Sequence, residues 1–102
     1  MYTLITGAAT SMAYKIKNSL DNEHIILGDY AELPSTMLSK MMIQLPSPGS
    51  LAYAHEMLAL CLDREIDHIY ALKEGEQSQL NSAKQLFVEY GITIRLVSGY
   101  EL

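Results

Sequence analysis

Short apolar runs alternate along this chain with longer stretches whose apolar residues recur every three or four positions. Runs of the first kind predict buried strands, and stretches of the second kind predict amphipathic helices. Tyr2-Thr3-Leu4-Ile5 opens the chain as a strand. Met12, Ala13, Ile16 and Leu20 then share one helical face, with Lys15, Lys17, Asn18 and Ser19 on the other, and Asp21-Asn22 ends the helix. His24-Ile25-Ile26-Leu27 predicts a second strand, apolar enough for burial on both faces, that stops at Gly28-Asp29-Tyr30. Residues 35–38 suit a single helical turn after Pro34. Met41-Met42-Ile43-Gln44-Leu45 predicts a third strand; Gln44 interrupts its apolar run and Pro46 and Pro48 end it, which favours an edge.

In the second half, Ser50 is the expected N-cap of a helix carrying Leu51, Ala54, Met57, Leu58, Cys61 and Leu62 on one face. Asp67-His68-Ile69-Tyr70-Ala71-Leu72 is the fourth strand, with Lys73-Glu74-Gly75-Glu76 as the loop beyond its carboxyl end. A helix with the core stripe Leu80, Ala83, Leu86, Phe87 and Tyr90 follows, closed by Gly91 in the left-handed C′ position. Ile92-Thr93-Ile94-Arg95-Leu96 alternates apolar with polar, as a half-exposed edge strand does. Strands separated by helical segments join through right-handed crossovers into a parallel sheet. The expected fold is therefore α/β: a Rossmann-like three-layer α/β/α sandwich with a five-stranded parallel sheet in the order 3-2-1-4-5. We expect residues 1–102 to form one such domain.

The turn after the first strand organises this arrangement. Gly7 allows a sharp exit with positive φ, Ala8 and Ala9 keep the turn narrow, and Thr10 or Ser11 caps the next helix. A helix start of this kind favours anions. The dinucleotide fingerprint G-x-G-x-x-G is nevertheless absent, since Gly7 stands alone where three glycines are wanted. Asp29 lies 22 residues after Gly7, at the tip of the second strand. In dinucleotide folds an acidic residue at about that spacing holds a ribose hydroxyl; a plain loop-capping role fits Asp29 equally well. The switch point of the 3-2-1-4-5 order lies between strands 1 and 4. Ligand-site expectations therefore centre on Gly7, Ala8, Ala9, Thr10, Ser11, Asp29, Tyr30, Lys73, Glu74 and Glu76. Glu74 and Glu76 also suit a solvated helix start, where negative charge complements the dipole.

Composition narrows the function classes. With 49% apolar and 19% charged residues the chain is a globular one. Its net charge of −5 and lack of a Lys/Arg cluster argue against a nucleic-acid-binding face. Cys61, the one cysteine, sits in an apolar helical pattern as a small hydrophobe. No long apolar span or leader pattern opens the chain, so no membrane association and a cytoplasmic location are the expectations. His24, His55 and His68 lack metal-ligand spacing among themselves or with Cys61, and no metal site is expected. No Walker lysine, G-x-S-x-G or H-E-x-x-H motif occurs. Tyr14 and Lys17 have a dehydrogenase-like spacing but ride the first helix, away from the switch point. No residue set qualifies as catalytic, and the sequence requires no cofactor; the turn fits a plain strand-to-helix connection with no ligand better than it fits a nucleotide site.

The stretches Leu4-Ile5-Thr6-Gly7-Ala8, Ile26-Leu27-Gly28-Asp29 and Glu65-Ile66-Asp67-His68-Ile69 resemble the N-terminal pre-ATP-grasp domain of ATP-grasp ligases. So does Glu74-Gly75-Glu76 followed by a helix and Tyr90-Gly91-Ile92. The likeness extends over nearly the whole chain and is greatest to the carboxylate–amine ligase branch that includes the pyrrolysine-biosynthesis enzyme. That branch commonly ends its fourth strand in a proline followed by paired acids; Leu72-Lys73 stand where the proline would be, and Glu74 and Glu76 supply the acids. In the family, ATP and metal are held by two later subdomains. The resemblance thus implies a module that is not a ligase alone and acts with a separately encoded ATP-grasp chain, or as a homodimer associating through an edge such as Met41 and Met42. A rival expectation is a nucleotide- or dinucleotide-binding sensor, or a small NAD(P)-binding oxidoreductase subunit, using residues 7–11 and Asp29.

Overall fold

Parallel strands Tyr2–Ile5 (β1), Ile25–Asp29 (β2), Met42–Gln44 (β3), Ile66–Ala71 (β4) and Thr93–Leu96 (β5) form one sheet in the order β3-β2-β1-β4-β5. The computed structural model describes residues 2–8, 10–20, 24–39 and 41–97. Ala9, the helix end expected at Asp21-Asn22, Lys40 and the tail beyond Val97 lie outside the described residues. Helices Ser11–Leu20 (α1), Tyr53–Asp63 (α2), Glu74–Ser82 (α3) and Lys84–Glu89 (α4), with a 3₁₀ turn at Ser35–Met37, join the strands. This is the α/β, Rossmann-like architecture expected from the hydrophobic pattern.

Alternation along the strands divides the core into two layers. Leu4, Ile26, Ile43, Ile69, Ala71 and Ile94 project to one side, where α2, α3 and α4 supply Tyr53, Met57, Cys61, Leu80 and Phe87. Ile5, Ile25, Leu27 and Leu72 project to the other, against Ala13 and Ile16 of α1. One irregularity interrupts the alternation. Tyr2 pairs with Ile66 but Thr3 with His68, so β4 carries one extra residue there, and Ile66 and Ile69 both reach the α2 layer.

Three helical expectations need correction. Leu51 is fully exposed and Leu62 about half exposed, whereas the side chains buried along α2 are Tyr53, Met57, Leu58 and Cys61. Ser50 does not cap the helix: its hydroxyl accepts the Ala52 N–H at 3.2 Å and donates to Glu56 Oε1 at 2.8 Å, closing a turn that delays the helix to Tyr53. The helix expected between β4 and β5 is two helices broken at Ala83. There the Ser82 hydroxyl donates to the Ser78 carbonyl, a back-bond that bends helices, and the Ala83 N–H is shared by the Gln79 and Leu80 carbonyls. Tyr90 leaves the core stripe in consequence and is exposed.

Gly91 ends α4 as expected, with φ +78°. The Ile92 N–H bonds the Phe87 carbonyl and the Gly91 N–H that of Val88, the paired pattern of a Schellman ending.

Gly28 is the glycine on which the β2–β3 packing turns. A Cβ there would stand 2.8 Å from Cγ and Cδ2 of the buried Leu45. Gly28→Ala is expected to destabilise the fold by roughly 1–3 kcal/mol through overpacking, read as a lower urea midpoint. Gly49→Ala, whose Cβ would come no nearer than 3.6 Å to the Ser47 hydroxyl, is the control and leaves the midpoint in place. Equal midpoints for the two variants would contradict this packing.

Candidate functional site

The carboxyl ends of β1, β2 and β4 converge at the switch point, and polar side chains fasten them together. Thr6, just past β1, receives the Leu72 N–H on its hydroxyl oxygen at 3.0 Å and donates its own N–H to the Tyr70 carbonyl, tying β1 to β4. Gln44 braces the tip of β2: its amide nitrogen donates to the carbonyls of Asp29, Tyr30 and Ala31, and its oxygen accepts the Leu33 N–H. Gln77 of α3 donates to the carbonyls of Ala71 and Val97, bridging the ends of β4 and β5.

The Gly7 turn closes on itself. Gly7 has φ +72°, which glycine adopts without strain. The Ala8 N–H is spent on the Gly28 carbonyl and the Thr10 N–H on that of Gly7, each at 2.9 Å. Thr10 is the helix cap: its hydroxyl donates to the Gly7 carbonyl and accepts the Ala13 N–H at 3.4 Å. Two of the N–H groups that would face an anion are therefore already bonded, one to β2 and one within the turn. Ser11, the first residue of α1, is exposed.

Lys73 spans the crevice. Its ammonium lies 2.8 Å from Asp29 Oδ1 and 4.6 Å from the centroid of the Tyr30 ring. Its stem passes over the Gly7 turn, with Cγ 3.7 Å from where a Gly7 Cβ would be. A side chain rooted at the end of β4 thus crosses β1 and pairs at the end of β2. Asp29 is fully buried, the Lys73 side chain 23% exposed, and Asp29 Oδ1 also accepts the Ala31 N–H at 3.0 Å.

Glu76 sits beneath this pair. Glu74 is exposed as a helix-start residue should be, but Glu76, one helical position past Gly75, is fully buried, contrary to a solvated role. Tyr53 of α2 donates its hydroxyl to Glu76 Oε2 at 3.3 Å, while Oε1 has no hydrogen-bond partner. Burial pushes the Glu76 carboxyl up to about 7; the Thr6 and Tyr53 hydroxyls pull it down, Asp29 raises it and Lys73 lowers it. Burial and then the charge of Glu76 raise the Tyr53 phenol in turn. Cys61, also buried, has its thiol pushed up to about 12 by desolvation, in keeping with an inert core residue.

The structure brings together Gly7, Asp29, Tyr30, Lys73 and Glu76 and leaves Ser11 and Glu74 facing solvent. Thr6 and Tyr53 were not foreseen as site residues. Tyr53 had a signal: with Met57 and Cys61 it marks one helical face at four-residue steps. Among the described residues no group of three or more His, Cys, Asp or Glu side chains is placed to hold a metal ion, and no helix is long and apolar enough to cross a membrane.

No protein-family model matches the chain, and no curated protein does. Among solved structures it is similar to L-threonine 3-dehydrogenase from Trypanosoma brucei, with a TM-score of 0.63 at 16% identity. The match covers 92% of this chain and 35% of that one. The fold is Rossmann-like. At this identity the likeness carries the fold and nothing of the dehydrogenase's activity, and this chain spans about a third of the other's length.

A carboxyl whose folded pKa stands above its unfolded value holds its proton longer in the folded state, so its contribution to stability falls as pH rises. For Glu76 the window runs from about 4.5 to about 7. Over that window the Glu76 contribution should drop by on the order of 3 kcal/mol. Glu76→Gln removes the titration, so its stability should decline less than the wild type's between pH 5 and pH 8, approximately the titration window. Urea melts at several pH values check this; parallel pH profiles for the two proteins would contradict it.

Proposed function

We propose that this chain is a non-catalytic Rossmann-like module that works by association with another chain rather than by turning over a nucleotide cofactor. The observation that carries this reading is the occupation of the switch-point crevice by the protein itself. Lys73 lies across the Gly7 turn, and Asp29, the one acid at the ribose-binding spacing, is buried and neutralised by Lys73. A dinucleotide seated there would need Lys73 withdrawn from its ion pair with the buried Asp29 and from above the Gly7 turn, a cost met before any ligand contact forms. The resemblance of the strand tips to the pre-ATP-grasp domain supports a partner of that class, a separately encoded ATP-grasp chain whose substrate pocket this module would border. A second copy of the chain is the other association.

A thermal-shift titration with NAD, NADP and ATP tests the reading. A ligand at about 100 times its Kd stabilises by roughly 2.7 kcal/mol, which moves the midpoint of a domain this size by roughly ten degrees or more. We expect no saturable shift with any of the three. A saturable shift with one of them, enlarged in Lys73→Met where the crevice is cleared, would overturn the proposal in favour of a nucleotide-binding domain.

A further inference from the structure

The two edges of the sheet are finished differently. At the β3 edge the strand has three residues, and the outward carbonyl of Met42 is already taken by the Ser39 N–H at 2.8 Å. Gln44 turns its side chain back onto the loop after β2, and Pro46 stops the strand. These are devices that blunt an edge against pairing. At the β5 edge they are fewer: Thr93-Ile94-Arg95-Leu96 contains no Pro and no register shift, and its one charged side chain is Arg95. Among the described residues no strand pairs with its outer side.

The hydrogen-bond parity of β5 follows from its last bond. The Val97 N–H points to β4, where it bonds the Ala71 carbonyl, so the backbone groups of Thr93 and Arg95 face β4 and those of Ile94 and Leu96 face outward. The Ile92 N–H is taken by Phe87, and its carbonyl faces outward with the other two. We propose that a second copy of this chain pairs antiparallel with this edge, about a two-fold axis at Ile94, to give one continuous sheet across the dimer. The proposal rests on the reading of the chain as an association module and names its partner.

This register satisfies several constraints at once. Ile94 of each copy exchanges N–H and carbonyl with its mate, and each Leu96 N–H meets the other copy's Ile92 carbonyl. Opposed residues in an antiparallel pair point to the same face, so Leu96, 47% exposed, lies on the α4 side opposite the other copy's Ile92, a residue buried in its own core. On the opposite face Arg95 meets Thr93 of the other copy. Moving the axis to Arg95 would instead set two guanidiniums against each other, and a slip by one residue would mix the two faces.

Charge on α4 complements the same symmetry. This helix packs on β5 and runs opposite to it, with exposed Lys84 at one end, exposed Glu89 at the other and exposed Val88 between. The two-fold axis places the two α4 helices antiparallel on one face, Lys84 of one toward Glu89 of the other. A four-residue ribbon alone falls short of the roughly 1,000 Å² that a specific interface buries, so α4 must contribute.

Light scattering and sedimentation equilibrium on the purified chain test this from low micromolar to several hundred micromolar. The expected result is a concentration-dependent rise from 11.4 kDa to twice that mass. Leu96→Lys should abolish the rise. Lys84→Glu and Glu89→Lys should each raise the dimer Kd by roughly tenfold, and the double variant should restore it. Met41→Lys, at the other edge, should leave it unchanged. A chain that stays at 11.4 kDa throughout, or a dimer lost in Met41→Lys but kept in Leu96→Lys, overturns the β5 interface. Neither result alters the nucleotide titration, which judges the closed crevice separately.

Discussion

The ion pair between Asp29 and Lys73 is the contact on which the carboxyl edge of this sheet depends. Asp29 is entirely buried, and its carboxylate, which also accepts the Ala31 N–H, needs a counter-charge to offset its desolvation. Lys73 answers it from the far side of β1, so one ammonium links the tips of β2 and β4 across the strand between them. The neighbouring bonds serve the same geometry. Thr6 fixes where Leu72 leaves β4, and with it the root of Lys73; Gln44 holds the loop that keeps Asp29 and Tyr30 facing inward.

The same ammonium serves two carboxyls. Asp29 takes its direct bond, while Glu76 lies near enough to feel both the lysine and the aspartate. One cation cannot fully neutralise two buried anions, and burial together with the nearby Asp29 charge pushes the Glu76 carboxyl up, favouring its protonated form. A crevice organised this way is spanned by its own Lys73, whereas the glycine-rich turn of a dinucleotide site stays open for a pyrophosphate.

The layered fold was legible because its signals are local and repeated. Buried runs such as Ile25-Ile26-Leu27, the face made by Ala13 and Ile16, and the glycine at position 91 each report their own structure without reference to distant residues. The two polar strands at the edges and the apolar first strand at the centre carried the strand order. The helix faces were less legible. Leu51 and Leu62 look like core residues by type, but a turn closed by Ser50 shifts the start of α2, and Tyr53 takes the buried face instead. The site was half legible. Asp29, Lys73 and Glu76 stood among ten ligand-site candidates, placed there by the switch-point rule, the spacing of Asp29 from Gly7 and the family resemblance. That Lys73 reaches Asp29, 44 residues away, and that Glu76 is buried beneath Tyr53 depend on packing between elements that no spacing in the chain encodes.

A double-mutant cycle on Asp29→Asn and Lys73→Met, followed by urea unfolding at neutral pH, measures this closure most directly. If the pair holds the strand tips together, each single variant loses stability, the double loses far less than their sum, and the coupling energy is at least about 2 kcal/mol. Additive losses, with a coupling within about 0.5 kcal/mol of zero, would mean that Lys73 does not close the crevice in solution.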